Sequence, residues 1–277
     1  MYIAVPATIN SARGIDAKRI ATDSTAKSKG LKTGLATNGT LISTDNAKLI
    51  SEIFRSVQIS IDGPKIIHNK IRGKDNAYQM AVNAIKLLKE NDCRQVIISS
   101  VVTPKNSNYL NEILKIAKQL QVDSWKITSV MPIGKVNDNS NLYLNEDEFK
   151  ALLRFVKKNK KEIEIELGEN LGFLGRFEKE VRNDSFFCPV GFLACCLGVN
   201  GNIRGCPEQP DIDYFIEGNI IDQDFKTIWE KGFKKYRNRE FLLDDDCAKC
   251  QYKNLCRGGC WVMKTKKIHC SVNRYCL

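Results

Sequence analysis

Residues 247–260 read CAKCQYKNLCRGGC, and residues 188–206 read CPVGFLACCLGVNGNIRGC. Ten of the eleven cysteines follow residue 187, whereas the whole chain has only two histidines. The Cys-x2-Cys pair that opens the later stretch lets one tight turn present two sulfur atoms to a metal. Four cysteines within so short a stretch therefore predict a metal centre.

Two kinds of centre fit the later stretch. One tetrahedral zinc ion could use all four of its cysteines. Alternatively, the four could be divided between two iron–sulfur clusters, each of which needs four thiolates. Gly258 and Gly259 favour the division, because they let the backbone turn and aim Cys260 away from Cys256. Cys270 and Cys276 remain near the end of the sequence as a possible further ligand.

The earlier stretch contains Asn200-Gly201, a strong hairpin signal, because both turn positions of a two-residue loop need φ > 0. Such a loop places Cys195 opposite Cys206 on one face of the hairpin. Cys196 then points to the other face. We therefore expect Cys195 and Cys206 to be ligands and Cys196 to be a packed thiol.

The composition is that of a globular chain, with 277 residues, 43% hydrophobic and 27% charged. The opening MYIAVPATINSARG has no secretory pattern, and the longest apolar run, 186–199, is too short and too interrupted to span a bilayer. These features predict a cytoplasmic protein without a membrane partner. Thiols in that compartment are usually reduced, so the cysteines indicate metal or redox chemistry rather than disulfides.

The formal net charge of +11 raises the possibility of nucleic-acid binding. The basic residues are spread along the chain, however, and the densest group lies at 157–161, where it ends a predicted helix. Lysines at that position complement the helix macrodipole. A nucleic-acid partner is therefore the less favoured interpretation.

Residues 31–130 alternate between short apolar runs and helical patterns. This alternation predicts βαβ units and a parallel sheet, and nearly continuous apolar runs are typical of strands covered on both faces. The predicted strands are Lys32–Ala36, Val57–Ile61, Val96–Val101 and Trp125–Ser129, and the predicted helices are Tyr78–Leu88 and Tyr109–Leu120. Downstream, Asn145 and Glu148 form a capping pattern, residues 162–167 read as a half-buried strand, and an amphipathic helix surrounds Trp229.

The cysteine spacing resembles that of a known family. Cys188-x12-Gly201-x4-Cys206, followed by the later stretch and a last cysteine, is similar to the SPASM domain, as are residues 217–220 and Trp229. SPASM domains hold two auxiliary [4Fe–4S] clusters and follow a radical S-adenosylmethionine (SAM) barrel. The resemblance implies that Cys188, Cys195, Cys206 and Cys260 hold one cluster and that Cys247, Cys250, Cys256 and Cys276 hold the other. Such clusters would carry electrons or order the structure rather than bind SAM.

Residues 31–135 resemble the later part of a radical SAM barrel. Three segments carry the likeness: 36–40 as the third strand and turn, 60–64 as the end of the fourth strand, and 131–135 as the end of the sixth. Function in such barrels lies at the C-terminal ends of the strands. The resemblance therefore implies SAM contacts from Ser60, Asp62 and Arg72, with Arg72 able to grip a carboxylate. The alternatives are a simple turn at Asp62 and a surface charge at Arg72, and His68 is expected to be structural.

The expected fold is thus α/β, with a partial radical SAM (β/α)6-type barrel followed by a small cysteine-rich α+β SPASM domain. The expected boundaries are 1–30 for an unassigned segment, 31–143 for the barrel, 144–184 for a connecting helix and strand, and 185–277 for the SPASM domain. The family's Cys-x3-Cys-x2-Cys and Gly-Gly-Glu-Pro motifs are missing, and no cysteine precedes Cys93. SAM and a catalytic [4Fe–4S] cluster are therefore expected only together with a missing N-terminal segment, and the chain alone is expected not to cleave SAM.

The resemblance implies an oxidoreductase that modifies a peptide or protein and receives electrons from a flavodoxin- or ferredoxin-type reductant. Two alternatives remain open at this point. One is a non-catalytic iron–sulfur module for electron transfer or binding. The other is a zinc-binding interaction domain, which predicts salt-dependent binding to DNA or RNA.

Overall fold

The computed structural model describes residues 2–4, 25–131, 136, 141–238 and 245–265. The chain divides into two compact units. We call residues 7–130 and 142–167 the sheet unit, and residues 1–6, 131–141 and 168–277 the cysteine unit. The unassigned segment 1–30 and the strand end at 131–135 fall largely outside the described residues.

The sheet unit is built on five parallel strands in the order in which they occur along the chain. This confirms the parallel α/β architecture that the alternation predicts. Strand β1 (Tyr2–Ala4) belongs to the other unit, and the five strands here are β2 (Gly34–Thr37), β3 (Ser56–Ser60), β4 (Val96–Val102), β5 (Ser124–Ser129) and β6 (Glu164–Leu167). The helices are α1 (Thr44–Ile53), α2 (Lys65–Arg72), α3 (Ala77–Glu90), α4 (Leu110–Gln119) and α5 (Glu146–Asn159), and residues 25–28 are also helical.

The core of the sheet unit lies between one face of the sheet and the apolar stripes of the helices. Ile59, Ile98 and Ile127 occupy that face on three adjacent strands, and each is fully buried. Burying one such side chain stabilises the fold by roughly 1.5–3 kcal/mol. Ile85 of α3 and Ile113 of α4 are also fully buried. The apolar residues that recur at helical spacing in the sequence are therefore the residues that face the core.

Helix α5 begins with the predicted capping pair. Asn145 Oδ1 accepts from the Glu148 N–H at 2.9 Å, and a Glu148 carboxylate oxygen accepts from the Asn145 N–H at 2.9 Å. The sequence predicts 144–184 as a connection, but α5 and β6 join the sheet unit, with Trp125 beside Ile165 in the β5–β6 register. The alternating sequence of β6 explains this, because it buries Ile165 and leaves its neighbours more exposed.

The cysteine unit contains a four-stranded sheet in the order β1-β7-β8-β9, in which β1 and β7 are parallel and the other pairs are antiparallel. Its remaining strands are β7 (Ala194–Leu197), β8 (Asn202–Arg204) and β9 (Ile216–Asn219). Its helices are short: α6 (Glu178–Val181), α7 (Phe225–Lys231), α8 (Lys234–Arg237), α9 (Asp245–Ala248), α10 (Lys253–Cys256) and α11 (Trp261–Thr265). Within the described residues, no helix is both long and apolar enough to cross a bilayer.

The β7–β8 hairpin corrects one prediction. Cys196 pairs with Arg204, so the register is shifted by one residue, and Cys195 is not opposite Cys206. The Gly198 N–H donates to Asn202 O at 2.8 Å, which closes a three-residue loop, 199–201, instead of a two-residue one. Gly201 has φ +85°, the left-handed residue that follows the turn in three-residue hairpin loops. Asn-Gly is compatible with both loops, which is why the sequence pattern alone misplaced the register.

Candidate functional sites

The end of strand β3 carries a buried carboxylate. Asp62 is 2% exposed, and its Oδ2 accepts from Arg72 Nε at 2.7 Å and lies 2.6 Å from Arg72 Nη2. Its Oδ1 accepts from the Val101 N–H at 3.0 Å. Both carboxylate oxygens are therefore engaged by the protein. The turn that follows β3 is tied to strand β4 and to the end of helix α2.

His68 and Asn106 complete this arrangement. The Asp62 N–H donates to His68 Nδ1 at 3.0 Å, and Asn106 Nδ2 donates to Asp62 O at 2.9 Å. His68 is 2% exposed, and burial lowers its pKa to about 4, although the nearby Asp62 charge opposes that shift. Its imidazole is therefore neutral near pH 7, as its role as an acceptor requires. This agrees with the expectation that His68 is structural.

Of the three predicted SAM contacts, Asp62 and Arg72 are brought together and Ser60 ends the same strand. The Arg72 guanidinium is 32% exposed while it holds Asp62. Asp62 is thus more than a turn residue, and Arg72 is more than a surface charge. The contacts of these residues with SAM stay a prediction, but their mutual hydrogen bonds are a new observation that the motif did not reveal.

A row of polar residues crosses four adjacent strands at one level of the sheet. Ser60 pairs with Ser99, Ser99 with Lys126, and Lys126 with Glu166. All four side chains are only partly buried, and Ser124 Oγ donates to Glu166 Oε1 at 2.7 Å. Of these four residues, only Ser60 is predicted from the sequence. Polar residues within otherwise apolar strands are the only sequence signal of the row. The strand register is needed to show that these residues are neighbours.

In the cysteine unit, three of the predicted ligands of the first cluster influence one another electrostatically. Burial raises the pKa of Cys206 to about 12, and the charges of Cys260 and Cys188 add to that rise. Burial likewise raises the pKa of Cys260 to about 11, with a further contribution from Cys188. The three thiols are therefore near enough to interact, although Cys260 comes from the later stretch of sequence; Cys188 is buried, and Cys206 and Cys260 are partly exposed.

Backbone N–H groups also point towards two of these sulfur atoms. Glu208 contributes one to Cys206, and Val262 and Met263 contribute theirs to Cys260, and each lowers the pKa of the thiol that it contacts. Such donors favour the thiolate form. Burial outweighs these donors, so the thiols of Cys206 and Cys260 are protonated near neutral pH until a bound metal displaces their protons.

The fourth predicted ligand, Cys195, lies on β7 and is 2% exposed. Burial raises the pKa of Cys195 to about 11. The cysteine that adds to this rise is Cys196, and not one of the three thiols above. Cys196 is fully buried, and its Sγ accepts from Arg204 Nη2 at 3.8 Å. The described residues thus bring three of the four predicted ligands together, and the place of Cys195 in the set stays a prediction.

Among the residues that the structure describes, two buried N–H groups without a hydrogen-bond partner belong to residues that lie close in sequence to these cysteines. They are Gln209 Nε2 and Trp261 Nε1, and both residues are almost completely buried, at 3% and 6% exposure. Trp261 directly follows Cys260, and its ring centroid lies 4.8 Å from that of Tyr236. Buried donors normally have an acceptor. Gln209 is three residues from Cys206 and Trp261 directly follows Cys260, so each N–H could donate to a group held by these cysteines.

The later stretch turns sharply between Cys256 and Cys260. Arg257, Gly258 and Gly259 have consecutive positive φ values of 50°, 88° and 66°. This reversal agrees with the expectation that the glycines redirect Cys260. Of the predicted ligands of the second cluster, Cys247, Cys250 and Cys256 are described, whereas Cys276 and its competitor Cys270 lie outside the described residues.

Within the described residues, no disulfide joins two cysteines. No group of three or more histidine, cysteine, aspartate or glutamate side chains in that part of the chain is arranged to hold a single metal ion.

Two sequence families match the chain. Residues 7–120 match the radical SAM superfamily, and residues 188–251 match SPASM, described as an iron–sulfur cluster-binding domain. The first match begins at residue 7, earlier than the barrel boundary at 31 that the sequence pattern predicts. Both matches agree with the resemblance on which the sequence analysis relied.

Curated relatives cover most of this chain. An AdoMet-dependent heme synthase of Oleidesulfovibrio alaskensis is 28% identical over 251 residues, which are 83% of this chain and 63% of the relative. The mycofactocin maturase MftC of Mycolicibacterium smegmatis is 29% identical over 260 residues, which are 87% of this chain and 61% of the relative. The chain therefore spans about three-fifths of the length of these relatives.

A solved structure, native anSMEcpe with bound AdoMet and Kp18Cys peptide, has the same fold. Its TM-score is 0.66 at 24% identity, with 88% of this chain and 70% of that chain covered. At this level of identity, the similarity shows a shared fold and no more.

Proposed function

Because the chain carries a radical SAM domain and a SPASM iron–sulfur domain, we propose that it belongs to an oxidoreductase that modifies a peptide or protein substrate. The observation that carries this proposal is the electrostatic interaction of Cys260 with Cys188 and Cys206, which relates the two cysteine stretches to each other. The name maturase of one relative and the peptide bound in one solved structure support a peptide as the substrate class.

The cysteine unit would hold two auxiliary [4Fe–4S] clusters, which supply one-electron transfer when bound. The first would be ligated by Cys188, Cys195, Cys206 and Cys260, and the second by Cys247, Cys250, Cys256 and Cys276. In this proposal the protein provides backbone N–H groups to the sulfur atoms of Cys206 and Cys260 and keeps Cys188 and Cys195 buried. A flavodoxin- or ferredoxin-type protein would be the electron donor.

The end of strand β3 would bind SAM. Asp62 holds Arg72 in place through Oδ2, and Arg72 is still one-third exposed, so its guanidinium could also take a carboxylate. Ser60 would contribute its hydroxyl from the last position of β3. In this proposal Asp62 acts mainly by positioning Arg72, because both of its own oxygens are occupied.

We further propose that these 277 residues alone do not cleave SAM, since no cysteine precedes Cys93 and Cys93 itself is buried. Burial raises the pKa of the Cys93 thiol, which disfavours the thiolate that a cluster ligand needs. After anaerobic reconstitution and reduction, the chain should yield no 5′-deoxyadenosine above a control without protein. A yield above that control would refute this part of the proposal.

The experiment that tests the function is a determination of iron, acid-labile sulfide and zinc per chain after anaerobic reconstitution. About eight iron and eight sulfide per chain are expected, because each cluster contains four of each. About one zinc ion with little iron would overturn the assignment and favour a zinc-stabilised interaction domain. About four iron would leave one cluster, and the cysteine variants described in the Discussion would show which.

A further inference from the structure

Gln209 makes two hydrogen bonds with the backbone of Cys206, one to its carbonyl oxygen and one from its N–H. The two residues are the ends of a turn in which the Gln209 N–H donates to Cys206 O at 3.2 Å. Gln209 Oε1 in return accepts from the Cys206 N–H at 3.1 Å. Pro207 occupies the second position of this turn, where its fixed φ is favourable. Gln209 therefore keeps one fixed position beside the sulfur-bearing residue.

These contacts also determine which way the Gln209 amide faces. The Cys206 N–H can only donate, so the amide oxygen must face it. The Tyr236 hydroxyl donates to the same oxygen at 2.9 Å, and Tyr236 is fully buried. The amide oxygen is thus used twice, and the Nε2 group is directed away from both donors. In the part of the chain that the structure describes, Nε2 is buried and has no acceptor.

The surroundings limit what could accept from this amide. Burial excludes bulk water, and the Cys206 thiol belongs to the group that also includes Cys188 and Cys260. The chemical group that would put acceptors there is a cluster with anionic sulfur atoms. A buried, fixed amide donor beside such a group is a structural complement to it, because an unpaired buried donor is otherwise unfavourable.

We propose that Gln209 Nε2 donates a hydrogen bond to a sulfur atom of the cluster at Cys188, Cys206 and Cys260, and thereby raises its reduction potential. This inference rests on the proposed function. One-electron reduction adds a negative charge to the cluster, and a hydrogen bond to an anionic acceptor strengthens as its charge grows. The bond therefore stabilises the reduced state more than the oxidised state. Gln209 is a positioning residue for Cys206 and a tuning residue for the cluster.

The test is a redox titration of the reconstituted full chain, followed by electron paramagnetic resonance. Gln209→Met removes the amide without adding charge and is the decisive variant; Gln209→Glu keeps an oxygen for Cys206 and Tyr236, and its ionised form loses the donor but also adds a negative charge that itself lowers the potential. In both variants one of the cluster signals should shift to a lower midpoint potential. The reduced-to-oxidised ratio at a fixed potential should fall several-fold, where a tenfold change corresponds to 59 mV for one electron.

Gln223→Met is the matched control, since it makes the same replacement at an exposed glutamine of the same unit. Its midpoints should equal those of the wild type. Loaded Gln209 variants with unchanged midpoints would overturn the inference while leaving the proposed function intact. A wild-type chain that binds no iron would instead overturn the proposed function.

A second measurement applies if the variants do not load. The wild-type chain is labelled with 15N in the glutamine side chains, and the reduced cluster is examined for coupling to 15N. Coupling that persists in an equally labelled Gln251→Met chain supports the hydrogen bond, because Gln251 is the labelled glutamine that directly follows a proposed ligand of the second cluster, Cys250. A loaded wild-type cluster without such coupling overturns the inference.

Discussion

Glu178 accepts a hydrogen bond through its buried Oε1 from the Phe186 N–H at 2.7 Å, two residues before Cys188. Its Oε2 accepts from the Leu174 N–H at 2.8 Å, so one carboxylate joins two parts of the loop that leads to the first predicted ligand. Arg182, 3.6 Å from Glu178 Oε1, donates to Gly172 O at 3.0 Å and steadies the same loop. The loop is therefore fixed before it reaches Cys188.

Glu178→Gln should weaken this arrangement. The glutamine amide has one oxygen and one NH2 group. The oxygen can accept from one of the two backbone N–H groups, but the NH2 group would then lie against the other N–H, which is also a donor. Such a mismatch at a buried site costs about 1–3 kcal/mol. We expect a lower iron content and easier loss of iron on mild heating, measured by iron analysis against temperature. Glu230→Gln, at an exposed position of the same unit, is the control and should retain the wild-type iron content.

The Asp62–Arg72 pair should show measurable coupling. Asp62→Asn and Arg72→Gln each leave a polar group without its charged partner, whereas the double variant removes the pair altogether. Because Arg72 is one-third exposed, we expect a coupling energy of only about 1 kcal/mol. Amide hydrogen exchange at Val101, whose N–H donates to Asp62 Oδ1, provides the readout. Strictly additive effects of the two substitutions would contradict the coupling.

The buried His68 should make the sheet unit sensitive to acid. The unfolded imidazole takes up a proton below pH 6.5, while the low pKa of about 4 keeps the folded one neutral. Stability is therefore fully present above pH 6.5 and is lost as the pH falls towards 4, by about 3 kcal/mol at most. His68→Asn keeps an acceptor for the Asp62 N–H without titrating. Hydrogen exchange at Asp62 should accelerate less steeply between pH 6.5 and 4 in this variant, after correction for the intrinsic rate, and equal slopes would count against the assignment.

Cysteine replacements should separate ligands from packed thiols. Cys206→Ser should remove about four iron atoms per chain, which is the content of one cluster. Cys196→Ser should retain all of them, since its thiol contacts Arg204 and packs in the core. Cys195→Ser tests whether Cys195 is a ligand of the first cluster. If it is, this variant should also lose about four iron atoms per chain.

The control for this series is Cys93→Ser. Cys93 is buried in the sheet unit, and its replacement should leave the iron content unchanged. A loss of iron in Cys196→Ser with none in Cys195→Ser would reverse the roles that the sequence assigns to these two neighbours.

Periodic features of the sequence predicted the fold well. The apolar runs located β3, β4 and β5 to within a residue at each end, because short runs rich in β-branched residues are a local signal. Asn145 and Glu148 predicted the start of α5, since a capping box depends on residues only three positions apart.

Features that depend on geometry between distant residues could not be predicted in the same way. The polar row from Ser60 to Glu166 depends on strand register, which no local pattern specifies. The hairpin register failed because Asn200-Gly201 suits two loop lengths. The contacts of Gln209 with Cys206 and Tyr236 require a turn and a distant helix together, so no local pattern indicates them.

The meeting of Cys260 with Cys188 and Cys206 has a consequence for biosynthesis. A shared cluster would act as a cross-link that closes a loop of about 70 residues, and a comparable covalent cross-link restricts the unfolded chain by about 4 kcal/mol. Since Cys260 leaves the ribosome long after Cys188, the site cannot be completed on a nascent chain that has exposed only its first cysteine stretch. Iron delivery would then act as a late checkpoint of folding, and starving a cell of iron would leave this unit open to proteolysis.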